Sequence, residues 1–120
     1  PRCCSIWPGR RAPSPPSGMT PEYVGRFKDR ILIFHLKDYR IGLLPQDLKM
    51  EEFGRLFWEV EQYAEGGEGV IDMPAYIRAG LDSGSRYFMI EQDECYGRTA
   101  YESLAISRDN LIGMGYGDWF

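Results

Sequence analysis

The chain has 120 residues, 43% of them hydrophobic and 27% charged, which is the size and balance of one small globular domain with a single core. A formal net charge of -4 argues against a nucleic-acid partner, whose phosphates need a basic face. No run approaches the roughly 18 consecutive apolar residues of a membrane span, and no charged-then-apolar leader opens the chain, so neither a membrane partner nor a targeting segment is expected.

Residues 1–18, "PRCCSIWPGRRAPSPPSG", hold five of the eight prolines and show neither a helical nor a strand period. That composition predicts a disordered Pro-rich arm, with the folded domain spanning 19–120. A start at Pro1 rather than at methionine fits a piece of a longer polypeptide. Cys3, Cys4 and Cys95 are odd in number and two are adjacent. They make a poor disulfide framework and lack zinc-ligand spacing, so a reducing cytoplasm is the expected setting.

Regular signals begin near Met19. Thr20 is a candidate N-cap, Pro21 takes the first helical position and Glu22 the first turn, with Val24 and Phe27 on one short amphipathic face. "ILIFHL" at 31–36 is a continuous apolar run with a β-branched start, which predicts a strand buried on both faces. In the long excursion that follows, Phe53, Leu56, Phe57 and Val60 predict a helix across part of 48–63, ended by Gly66, Gly67 and Gly69. Next, Asp72 caps a second helix in which Pro74 lies near the first turn, Ile77, Gly80 and Leu81 lie on one face, and Gly84 stops it. "RYFMIEQD" at 86–93 predicts another short strand. "AYESLAISRDNLIGMG" closes with a helix presenting Leu104, Ser107 and Leu111, broken by Gly113 and Gly115.

Strands alternating with helices imply right-handed βα units and parallel pairing, an α/β fold. Both apolar strands finish in polar residues: His35 to Asp38 after one, Glu91 to Glu94 after the other. The carboxyl ends of parallel strands are where α/β proteins place their sites. A lone histidine is commonly a core residue. Here Glu91 follows "YFMI" as His35 follows "ILIF", so the two should project side by side, as half of a mixed N/O metal site. Asp93 falls two residues further on. Lys37 and Arg40 are candidates to bind an anionic or hydroxylated substrate; alternatively Lys37 and Asp38 are a solvated strand end. The "GGEG" at 66–69 lacks the lysine and serine of a phosphate loop and is expected to be a turn laying backbone near a pocket. Glu59, Glu61 and Glu65 are expected on a solvated helix face.

"HLKDY" at 35–39, "GEGVIDMPAYI" at 67–77, "YFMIEQD" at 87–93 and the closing "ESLAISRDNLIGMG" occur in an order that resembles the sugar phosphate isomerase/epimerase family. These are xylose-isomerase-like TIM barrels, a superfamily that also holds metal-dependent apurinic endonucleases. The resemblance covers roughly residues 21–116. It implies that the chain is the C-terminal portion of a (β/α)8 barrel, about strands seven and eight with flanking helices, and therefore an incomplete barrel.

The same resemblance implies one divalent metal (Mn, Mg, Co or Zn), held by two carboxylates from earlier strands, a histidine from strand seven and a glutamate from strand eight. His35 and Glu91 match the last two, with Glu91 also the catalytic base and Lys37 and Arg40 near substrate oxygens. The earlier glutamate has no counterpart, and no acidic residue precedes Glu22, where the strand-six aspartate would stand. The implied activity is proton transfer through an enediolate on a sugar or sugar phosphate. The isolated chain is expected to be inactive, possessing half the ligands and so possessing no assured cofactor, and to self-associate through exposed barrel surface. The competing readings are a non-catalytic small α/β interaction module and, against the acidic charge, a metal-dependent endonuclease.

Overall fold

The apolar run Ile31–Leu36 forms a strand, β2, and takes a parallel neighbour on each side. The computed structural model describes residues 2–5, 20–42, 49 and 61–120. Arg2–Ser5 (β1) runs along one edge of β2, with Ser5 opposite His35. Tyr87–Ile90 (β5) runs along the other, with Met89 opposite His35 and Ile90 opposite Leu36. The result is a small mixed α/β domain with the parallel order β1-β2-β5.

β1 corrects part of the expected disordered arm. Composition averaged over 18 residues concealed the proline-free stretch 2–7, and only a stretch without proline can donate every amide to a ladder. The rest of the arm, 6–18, lies outside the described residues.

Among the described residues three α-helices accompany the sheet: α1 (Pro21–Val24), α2 (Met73–Asp82) and α3 (Ala100–Leu111). Alternation along β2 sends Phe34 and Leu36 into a core with Val24, Ile31, Met73, Ile77 and Leu111. The rings of Phe34 and Phe88 lie 5.8 Å apart, carrying the core from β2 to β5. Gly80 keeps α2 close to that pair, since a Cβ there would stand 3.0 Å from the Phe88 ring.

The opposite face of the sheet is open among the described residues. Ile33 and His35 are half-buried there, while Tyr87 is 59% and Met89 50% exposed. Among the described residues, the burial of β2 on both faces expected from its unbroken apolar run is complete on the helix side and partial on the other.

Helix starts follow their local chemistry. Asp72 accepts from the Ala75 amide at 3.0 Å, and Thr99 forms a reciprocal capping box with Glu102. Thr20 occupies the N-cap of α1 without a capping bond from its side chain. The buried face of α3 is Ser103, Ser107 and Leu111, whereas Leu104 is 40% exposed. Leu81, expected with Ile77, lies in the last turn of α2 at 45% exposure and lines a surface groove with Tyr87 and Trp119.

The excursion between the βα units contains a second sheet. Asp38–Ile41 (β3) pairs antiparallel with Glu61–Ala64 (β4), Asp38 opposite Ala64. The helix expected across part of 48–63 does not include the C-terminal end of that stretch, where Glu61–Ala64 is a strand. Residues 43–48 and 50–60, including Glu59, lie outside the described residues. No helix among the described residues is long and apolar enough to cross a membrane.

Candidate functional site

His35 projects from the open face of β2, and Glu91 is the first residue beyond β5. The Glu91 amide donates to the Leu36 carbonyl at 3.0 Å, which extends the parallel ladder by one bond and fixes where the Glu91 side chain leaves the sheet. Its Oε2 pairs with Nδ1 of His35. Side-chain exposures of 24% for His35 and 28% for Glu91 leave both reachable from solvent. The sequence reading of two strand ends aiming an imidazole and a carboxylate at one place matches this arrangement.

The other oxygen of Glu91 belongs to Lys37. Nζ of Lys37 lies 2.5 Å from Glu91 Oε1 and 2.6 Å from Asp93 Oδ2, and stands over the Tyr63 ring at 5.1 Å from its centroid. Burial opposes the charge on this lysine, but Asp93 and Glu91 outweigh it and hold the ammonium above the usual lysine range. For Glu91, the hydrogen bond from Lys37 outweighs burial and, with help from His35, holds the carboxyl below the usual range.

A solvated strand end does not describe Lys37 or Asp38, which are 4% and 1% exposed. Asp38 accepts four backbone amides: Tyr39 at 2.8 Å, Gly67 and Gly69 at 3.0 Å, and Ile71 at 3.1 Å. One carboxylate thereby organises the glycine-rich loop, which wraps it so closely that a Cβ on Gly69 would collide with it. Sequence reasoning missed this role. A charged residue after a strand and a glycine-rich loop roughly thirty positions later carry no signal, in one sequence, that they meet.

Glu65 also departs from expectation. It follows β4 rather than lying on a helix, and is 2% exposed. Arg98 Nη1 reaches its Oε2 at 2.6 Å and Glu68 at 3.1 Å, while the Ser103 hydroxyl donates to Oε1 at 2.9 Å. Burial pushes the Glu65 carboxyl up, yet Arg98, the backbone and Ser103 together hold it below the ordinary range. Arg98 sits in the loop leading from β5 to α3, so this ion pair ties the loop after Glu91 to the loop around Asp38. Arg40 is placed on β3, where its Nε donates to Gln62 Oε1 at 3.4 Å, a contact within the ribbon rather than with His35 or Glu91.

An imidazole nitrogen and a carboxylate oxygen at one point suit Mn, Co, Zn or Mg as two donors. The described residues supply no third: no group of three His, Cys, Asp or Glu side chains converges among them. The described residues therefore do not make up a metal site by themselves. No protein-family model, no curated protein and no solved structure matches the chain.

Proposed function

We propose that this chain is the C-terminal portion of a (β/α)8 barrel, about strands seven and eight with flanking helices. In this reading it belongs to a metal-dependent sugar or sugar phosphate isomerase/epimerase and is inert on its own. The observation that carries the reading is the pairing of His35 with Glu91 at the carboxyl ends of adjacent parallel strands.

The open sheet face supports it. Parallel sheets are almost always covered on both sides, and here helices cover one while Ile33, Tyr87 and Met89 stand on the other. Barrel closure would turn that face inward, with β1 in the place of strand six. The four motifs in their family order point the same way.

His35 Nδ1 and Glu91 Oε2 would be the two ligands this chain contributes. A divalent ion, when bound, supplies polarisation of a substrate carbonyl and its neighbouring hydroxyl. In this reading Glu91, kept ionised beside Lys37, would release the lysine from Oε1 to take a carbon-bound proton and return it to the adjacent carbon. Lys37 is already shared by two carboxylates and Arg40 pairs with Gln62, so in this reading either cation would exchange a partner to hold substrate oxygens. The odd, partly adjacent cysteines favour the cytoplasm.

One observation favours a second reading, the non-catalytic module: the described residues bring together two donors, fewer than a working metal site needs. The two readings separate on exchange of carbon-bound hydrogen. The product of the complete reading frame, incubated in D2O with Mn2+ and a panel of ketoses and ketose phosphates, should place deuterium next to the carbonyl of one of them. His35→Ala and Glu91→Gln should abolish the exchange. A complete reading frame that adds no further βα units, or exchange that survives both substitutions, would reject the enzyme reading.

A further inference from the structure

The strand Tyr87–Ile90 is apolar at every position and bonds to β2 along one edge, with no strand on its other edge among the described residues. It carries neither the charge nor the proline that commonly keeps an edge strand from pairing with another chain. A groove of about 640 Å³ is lined by residues 86–89, by Ile33 from the open face of the sheet, and by Leu81 and Trp119 from the helix side, so it wraps this edge. Trp119 stacks on Phe88 with 5.0 Å between centroids, closing the core here while keeping apolar surface in the groove. Charge differs between the two ends of the strand. Exposed Arg86 precedes it, with Lys28 and Arg30 before β2 at the same end, and Asp29 and Asp82 offset part of that charge. Glu91, Asp93 and Glu94 follow it, and Lys37 offsets one of the three.

We propose that the outer edge of β5 is the contact between two copies of this chain, paired antiparallel about a two-fold axis into one continuous sheet. Antiparallel pairing sets the Arg86 end of each copy beside the Glu91, Asp93 and Glu94 end of the other, so the charge attraction occurs twice. The amides and carbonyls of the two edges bond to each other, and Tyr87, Met89 and Trp119 lose water in the paired grooves. Such a contact is the same patch on both copies and closes on itself. Parallel addition would align like ends, and joining β5 of one copy to β1 of the next would extend without closing. The dimer goes beyond the isomerase reading and does not rest on it. In a longer polypeptide whose own strand takes this edge, the two copies would not meet, so the test uses the 120-residue chain.

Sedimentation velocity should show a monomer–dimer equilibrium with no larger species. Arg86→Glu and Glu94→Arg, each alone and each matching the parent by circular dichroism, place like charges together at both ends of the contact. Each should weaken dimerisation roughly tenfold at low salt. An equimolar mixture of the two variants should regain the parental affinity, because every mixed dimer again has opposite charges at both ends. In a sample of 13C-labelled and unlabelled chain, intermolecular NOEs should join β5 to β5 in antiparallel order. A chain that stays monomeric, a series of growing oligomers, or single variants that associate like the parent would overturn the proposal. A mixture no tighter than either variant, or NOEs confined to the open sheet face, would do the same. These results leave the deuterium-exchange test to decide the isomerase reading, and its failure would leave the dimer standing.

Discussion

The amide of Gly69 donates to Asp38 Oδ2 at 3.0 Å across a separation of 31 residues, and the carboxylate lies so close that alanine has no room at position 69. With Tyr39, Gly67 and Ile71 also donating, Asp38 is the acceptor around which the loop after β4 closes. Asp38→Ala should cost on the order of 3 kcal/mol in urea denaturation, because several loop amides lose their acceptor together. Asp38→Asn, which keeps one carbonyl oxygen, should cost less. A loss below about 0.5 kcal/mol for the alanine variant would mean the loop is organised by something else.

Glu65 gives the fold an acid-sensitive tie. Its folded pKa is depressed, so the stability it contributes is present above the unfolded glutamate value of about 4.3 and is lost as pH falls through the folded value. Arg98→Met removes the main partner and leaves burial to push the carboxyl up instead. That variant should melt lower than the parent at pH 7, and the gap should close as the pH is lowered toward 3. Thermal melts across that range check it; a constant gap would show that Arg98 acts through packing rather than through Glu65.

Core and surface substitutions should separate sharply. Phe34 is fully buried against Phe88, so Phe34→Ala should lose roughly 3–5 kcal/mol. Tyr101 is 87% exposed on α3, and Tyr101→Ala should stay within about 0.5 kcal/mol of the parent. Similar costs for the two would contradict the placement of the core.

The open sheet face predicts association. Tyr87 and Met89 are more than half or half exposed beside Ile33 on a face that parallel sheets normally cover. Sedimentation velocity should show the chain associating as concentration rises, and Tyr87→Glu combined with Met89→Lys should shift it toward monomer. A parent chain that stays monomeric over the same range would show that the face is tolerated in water.

The strand Ile31–Leu36, the cap at Asp72 and the pairing of His35 with Glu91 were legible because each rests on local pattern or on the parity of parallel strands. The Thr99 cap itself went unremarked, although its glutamate three residues on is a known signature. Asp38 and Glu65 were not legible. A carboxylate that accepts backbone amides or meets a distant arginine looks the same in sequence as one facing water, since, the neighbouring Tyr39 amide apart, its partners lie 29 or more residues away. β1 was hidden by the prolines that follow it. The exposure of Leu81 and Leu104 reflects the opposite problem, since helical spacing gives a face but not how far the sheet extends beneath it.

The central claim is that His35 and Glu91 can hold one ion between them. Anomalous diffraction from crystals of the complete reading-frame product grown with Mn2+ tests it most directly. The account predicts a single strong peak within about 2.0–2.3 Å of an imidazole nitrogen of His35 and a carboxylate oxygen of Glu91, with Lys37 still on the other oxygen. Density for the two side chains with no peak between them, or a peak bound elsewhere in the protein, would contradict it.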